Sequence, residues 1–244
     1  MKKLNIKIKE QKDFECLPAC ISAVFEFYEI NLDINKIIEE ISFNSQKLYD
    51  WEFKAGILAL KKGLQAKIYS NVTQLFDPSW VSLSKKELME KLKKELSYSK
   101  KREEDIRKEP DQNYYIYPNK KIASRITKEI EEAIKFLENH GEIDFSPISK
   151  EKIQDYIDKN VPIIVSINPT ILHRMKRVYG DKADDIRGIS WGHVIIISGY
   201  DNENFIIGDP GGNFYRNSFE YSVNKDLLIE SILRYNGQLL VLSR

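Results

Sequence analysis

Two thiols, Cys16 and Cys20, and three imidazoles, His140, His173 and His193, are the nucleophiles and bases this chain has to work with. Cys16 stands in Glu15-Cys16-Leu17-Pro18-Ala19-Cys20, which reads as a helix start. Glu15 or Cys16 lies at the cap, and Pro18 falls in the first turn, where its missing N–H costs nothing. Unpaired backbone N–H groups and the helix dipole favour a thiolate there. A free thiol, with a reference pKa of about 8.5, needs such help to attack a carbonyl near neutrality. The competing reading is a buried small apolar side chain, as most free cysteines are. That reading suits Cys20, one helical turn on and facing inward. Cys16, Cys20 and His193 could also form a metal set, but a spacing of four on one helix lacks the zinc-knuckle pattern and no fourth ligand is evident.

The histidines differ in setting. His140, in Glu138-Asn139-His140-Gly141, reads as a C-cap partner at a helix end, and His173, beside Arg174, Lys176 and Arg177, as a surface or substrate-rim residue. His193 follows Trp191-Gly192 and opens the apolar run Val194-Ile195-Ile196-Ile197, so its imidazole stands at the mouth of a buried strand and needs a polar partner. Asp209 is the candidate. His193–Ser198 and Phe205–Gly208 read as an antiparallel hairpin around Gly199–Asn204, which brings His193 and Asp209 to the same open end. With the turn centred on Asp201 the two face each other, and with a shifted centre they are diagonal neighbours. A carboxylate there holds one ring N–H and leaves the other nitrogen for the thiol, the orienting role of a triad's third member. Alternatively, Asp209-Pro210 only begins a turn. Gln11, just upstream of Cys16, has an amide that could donate to the oxyanion of an attacked carbonyl, or it is a solvated surface residue.

The elements that must position these groups are legible as periodicities. Leu4, Ile6 and Ile8 alternate as in a short half-buried strand. Helices are predicted from Cys16, over Ile34–Ile41 with Asp33 as cap, over Trp51–Lys62 with Gly63 as stop, over the charged stretch Leu83–Lys108, over 122–138, and over Lys150–Asn160 capped by Ser149. Strands are predicted over Gln65–Tyr69, Ile163–Ile167, the two arms of the hairpin and Gln238–Ser243, and Tyr114–Pro118 reads as extended. Helices first and mostly antiparallel strands later is an α+β arrangement. No long linker or internal repeat is visible, so residues 1–244 read as one domain, with 70–140 as a charged helical insertion.

Composition narrows the function classes. Thirty-eight basic and thirty-seven acidic residues leave a net charge of +1, which gives no footprint for nucleic acid. Two cysteines cannot make a disulfide framework. No secretory h-region follows Lys2 and Lys3, and no apolar run approaches the roughly 20 residues of a membrane span. The chain therefore reads as soluble and cytoplasmic.

Gln11 with Cys16-Leu17-Pro18-Ala19-Cys20, then Trp191-Gly192-His193-Val194, then Gly208-Asp209-Pro210, resemble the bacteriocin-processing, C39-like branch of papain-like cysteine peptidases in order and in the sixteen-residue step from His to Asp. Two positions depart from that pattern: Leu17 replaces a glycine after the nucleophile, and Gln11 precedes Cys16 by five residues, one fewer than is usual. The resemblance implies a papain-like fold, with N-terminal helices on a mostly antiparallel C-terminal sheet. It also implies a cysteine peptidase acting on a peptide or protein substrate, with Cys16 as nucleophile, His193 as base and then acid, Asp209 as orienter and Gln11 as oxyanion donor. No metal or organic cofactor is implied. An acyl or aminoacyl transferase could use the same residues, and a noncatalytic peptide-binding protein could be built on the same fold.

Overall fold

The computed structural model describes residues 1–44, 50–73, 75–108, 120–235 and 237–244. In chain order the elements are β1 (Lys2–Lys3), α1 (Cys16–Phe27), α2 (Ile34–Glu40), α3 (Trp51–Lys61) and β2 (Gln65–Ser70). A 3₁₀ turn over Pro78–Ser82 leads to α4 (Lys85–Lys108), α5 (Lys120–Glu138), β3 (Glu142–Asp144), α6 (Lys150–Asp158) and β4 (Ile163–Ile167). Then come α7 (Pro169–Leu172), the small hairpin β5 (Val178–Tyr179) and β6 (Lys182–Ala183), β7 (His193–Tyr200) and β8 (Asn204–Gly208). The chain ends with α8 (Gly212–Arg216), β9 (Glu220–Asn224), α9 (Lys225–Leu233) and β10 (Gln238–Ser243).

The main sheet runs β3-β2-β10-β4-β7-β8-β9, with β1 paired to the last residues of β7. Among the described residues only the β2–β3 contact is parallel, so the α+β reading with a mostly antiparallel sheet describes the fold. β4 and nearly all of β7 are buried, which is why both read as unbroken apolar runs rather than alternating ones: helices cover both faces of these central strands. α1 packs on β7, α3 on β2 and β10, and α6 and α9 on β4.

Local signals account for the helix ends. The Asp33 carboxylate accepts from Lys36 N–H and the Ser149 hydroxyl from Lys152 N–H, caps worth about 1 kcal/mol each. Gly63 takes φ +84° after α3, a conformation a side chain would strain. In the 70–140 stretch, α4 and α5 pair lengthwise, burying Leu88, Leu92, Ile126, Ile130 and Leu137. The Ser99–Thr127 hydroxyl bond lies in the same seam.

One expectation needs correction, several elements went unforeseen, and one reading falls outside the described residues. The N-terminal ladder is confined to Lys2–Lys3; Leu4 N–H still donates to Ser198 carbonyl at 2.7 Å, but Leu4, Ile6 and Ile8 lie outside any strand, with Leu4 and Ile6 buried and Ile8 packed against the core. β3, β9 and α9 were not anticipated, since the first two are short and the third has few alternating polar positions. The expected extended stretch Tyr114–Pro118 lies outside the described residues.

Glu52 in α3 is 1% exposed and its Oε1 has no hydrogen-bond partner. Burial, aided by the charges of Glu129 and Asp50 and opposed by its own backbone N–H, pushes its carboxyl well above the usual carboxylate range. An acid raised in the folded state opposes folding increasingly as pH rises above its unfolded value of about 4.3. Glu52→Gln is therefore expected to unfold at a higher temperature than the native chain at pH 8, with the two curves merging below about pH 4. A variant less stable at pH 8 would contradict this.

Candidate active site

Cys16 is the first residue of α1, preceded by Glu15 at the cap, and is 5% exposed. The turn before it is tight: Glu15 N–H donates to Lys12 carbonyl, and Phe14, 72% exposed, sits at φ 60°. A left-handed residue with a large side chain costs on the order of 1–2 kcal/mol, and here it turns the chain sharply into the helix. Leu17, where the resemblance expects glycine, is fully buried in the core.

The imidazole comes from the sheet on which α1 packs, at the first residue of β7. His193 is 4% exposed, and its Nε2 lies 2.6 Å from Asp209 Oδ1. Cys16 is the ring's other polar neighbour, and its side chain acts with Asp209 to favour the charged ring. With Nε2 held by Asp209, Nδ1 is the nitrogen left for the thiol.

A bulge sets how His193 and Asp209 meet. Ile196 pairs with Gly208, but past a shift between Ile197 and Gly199 the partner of Gly199 is Ile206. Continued past Gly208, that register sets Asp209 beside Ile195 and Gly211 beside His193, the diagonal arrangement of a shifted turn centre. Gly211 is consequently pressed on the ring: a Cβ there would lie 3.2 Å from His193 Cε1 and 3.3 Å from Gln11 Oε1.

Asp209 is fully buried with three donors around it. Gly211 N–H (2.7 Å) shares Oδ1 with His193, and the Tyr221 hydroxyl on β9 donates to Oδ2 at 2.6 Å. Burial opposes ionisation of this carboxyl, yet His193, Tyr221 and the Gly211 N–H hold it below the usual carboxylate range. Burial likewise works against charge on His193, but the bonds to Asp209 and Cys16 raise the ring to about 10. The imidazolium–carboxylate pair is thus the favoured state across the neutral range.

Gln11 is tied to this cluster by its backbone, which donates to Pro210 carbonyl at 3.0 Å, and its side-chain Oε1 is buried without a partner. The structure therefore brings Gln11, Cys16, His193 and Asp209 together. Cys20 stays in the core, its thiol 3.4 Å from Val194 carbonyl, and among the described residues no three His, Cys, Asp or Glu side chains are grouped to hold a metal.

The description of the Peptidase_C39 like family matches residues 3–226. The chain belongs to that family. No curated protein matches. Among solved structures it is similar to a Bacillus anthracis chain assigned to the C39-like peptidases, with 14% identity, TM-score 0.44, and 100% of this chain and 98% of that one covered. It is also similar to the peptidase domain of Streptococcus ComA, a bifunctional ABC transporter of a quorum-sensing pathway, with 15% identity, TM-score 0.43 and coverage of 100% and 98%. Among the described residues, no helix is long and apolar enough to cross a membrane.

Several groups around the site escape a sequence reading. Tyr221 carries no motif, since its contact with Asp209 depends on β9 pairing with β8. Tyr215 lies against His193 (5.1 Å between ring centroids), accepts a hydrogen bond from Trp191 Nε1 and stacks on His173 at 4.5 Å. His173 is thus half-buried at the edge of the site, the rim position of the two readings given for it, and not a fully exposed surface residue. His140, by contrast, ends α5 at φ 72° and is exposed, as a helix-terminal residue should be. Gly192 is packed against Tyr235, whose hydroxyl would lie 1.9 Å from any added Cβ.

The two shifted groups give opposite pH limits. His193, raised in the fold, contributes stability fully below about pH 6.5 and loses it as pH rises through about 10. Asp209, lowered in the fold, contributes above about pH 4 and loses it as pH falls through its depressed value. The stability gap between the native chain and Asp209→Asn, followed by urea unfolding, is expected to be widest between about pH 4 and 6.5 and to narrow on both sides. A gap independent of pH would rule out the ion pair.

Proposed function

We propose that the chain is a cysteine peptidase that hydrolyses a peptide or related amide bond through a thioester acyl-enzyme. The observation that carries this reading is the enclosed His193–Asp209 pair with Cys16, the first residue of a helix, as the ring's other polar neighbour. Membership of a peptidase family supports it further.

In this reading the Cys16 sulfur attacks the carbonyl carbon, forming a C–S bond and moving the carbonyl electron pair onto oxygen. The oxyanion is met by the Cys16 backbone N–H, one of the groups with no partner inside the helix, and by the Gln11 amide. Turning that amide about its last bond puts Nε2 where Oε1 now lies buried and unpartnered. As the oxyanion collapses the C–N bond breaks, and His193 gives its proton to the leaving amine. Water then enters; His193 takes one of its protons, its oxygen attacks the thioester carbon, and the C–S bond breaks to release the acid and return the sulfur to its place beside the protonated ring. Asp209 keeps its negative charge throughout and holds the ring in one orientation. We place the whole reaction in a single domain spanning the chain.

The test joins labelling with turnover. Iodoacetamide is expected to modify Cys16 ahead of Cys20, which is 1% exposed, and His193→Ala is expected to slow modification at Cys16 only. Cleavage of a mixed peptide substrate, read by mass spectrometry, is expected to fall at least about 10⁴-fold in Cys16→Ala, and about 10²–10³-fold in Gln11→Ala. Cleavage that survives Cys16→Ala, or labelling indifferent to His193, would remove the basis for this function.

A further inference from the structure

The imidazole divides the site in two. In the proposed hydrolysis the leaving nitrogen must come within about 2.6–3.2 Å of the His193 ring to take its proton. The acyl portion of the substrate is bonded to Cys16, so the residues carried by the leaving amine extend on the His193 side. On that side the chain turns back immediately after Asp209-Pro210-Gly211 into α8, whose Tyr215 rests against His193 and whose last residue is Arg216.

Arg216 is held in an unusual way. Its Nε donates to Nδ1 of His173 at 3.2 Å, and its guanidinium lies 5.7 Å from the centre of the Tyr221 ring. Burial and the Arg216 charge lower His173 to about 4, so at neutral pH it is uncharged and Nδ1 remains an acceptor. Every other arginine with a described side chain has a carboxylate or backbone carbonyl partner. Among the described residues Arg216 has neither, and its two terminal nitrogens carry four N–H donors with no acceptor. The two ring-to-ring steps from His193 through Tyr215 to His173, 5.1 and 4.5 Å, match the reach of two to three extended residues at roughly 3.3–3.6 Å each.

We propose that Arg216, fixed by His173 and Tyr221, is an anion-binding subsite for a carboxylate on the leaving-group side of the substrate, two to three residues beyond the cut bond. The carboxylate is either a free C-terminus, which makes the enzyme a remover of short C-terminal segments, or an acidic side chain. The exposed Phe214 on the same short helix, edge-on to Tyr215 at 4.9 Å, supplies an apolar neighbour for the same residues. This assignment of substrate class rests on the peptidase reading above, but binding of the anion does not require turnover.

The test uses random-sequence hexapeptides in two pools, one ending in a free carboxylate and one in a carboxamide. Retention by the full-length Cys16→Ala chain is measured by equilibrium dialysis and mass spectrometry, with and without Arg216→Gln, and cleavage by the native chain and Arg216→Gln in parallel. The free-acid pool should be retained and cut roughly tenfold better than the amide pool, with Arg216→Gln abolishing the difference, as for a charge-assisted hydrogen bond. If instead amide peptides with Asp or Glu near the C-terminus are selected, and Arg216→Gln abolishes that selection, the carboxylate is a side chain and the subsite stands. Retention that depends on Arg216 with no cleavage by the native chain keeps the subsite and removes the peptidase. Retention that ignores both the carboxylate and Arg216, or no retention of either pool, overturns the subsite whatever the cleavage shows. Thermal unfolding and circular dichroism of Arg216→Gln, expected to match the native chain, exclude loss of fold as the cause.

Discussion

A carboxylate taken fully out of water is destabilising by several kcal/mol unless its lone pairs are met by donors. Asp209 meets that demand with the His193 ring, the Gly211 amide and the Tyr221 hydroxyl, which come from β7, the turn after β8, and β9. Asp209's own N–H is spent on Phe219 carbonyl, which ties the same turn to the approach to β9. None of these donors can be moved far without leaving a buried charge exposed to an apolar surround. The order β7-β8-β9 is therefore a condition of the site as much as a frame for it, and the imidazole inherits its orientation from that condition.

The helical side answers to a different constraint. α1 must end against β7 with its N-terminus open, and the approach is made by the left-handed turn at Phe14 and the bond from Gln11 N–H to Pro210 carbonyl. That last bond links the segment before Cys16 to the residue after Asp209, so the two halves of the site are registered by backbone as well as by side chains. Gly211 and Gly192 are close-contact points: one lets the turn lie on the imidazole, the other lets Tyr235 pack against the backbone just before His193.

Much of this was readable in advance, and the reasons are local. α1, α3, α6, β4 and the hairpin announce themselves through periodicity, caps and unbroken apolar runs, because those signals depend on neighbours a few residues away. Cys16, His193 and Asp209 stood out because each occupies the end of such an element. Tyr221, Tyr215, His173 and Arg216 did not. Their positions depend on an edge strand and a five-residue helix, elements too short to carry a period, and on pairings across dozens of residues. The bulge between Ile197 and Gly199 was equally invisible, since nothing in the residues there distinguishes a regular hairpin from a shifted one.

The residue order by itself determined that a thiol would sit at a helix start, that a histidine and an aspartate would share one end of a hairpin, and that helices would precede a mostly antiparallel sheet. These follow from backbone preferences and hydrophobic spacing, which act over single turns and strands. Only the tertiary structure decided that the hairpin's open end would meet the start of α1, that Asp209 would lie diagonal to His193 with a tyrosine behind it, and that an arginine beside the site would find no carboxylate among the described residues. Those outcomes depend on how strands distant in sequence pack around a buried charge, where desolvation and hydrogen-bond geometry, and not local propensity, select the arrangement.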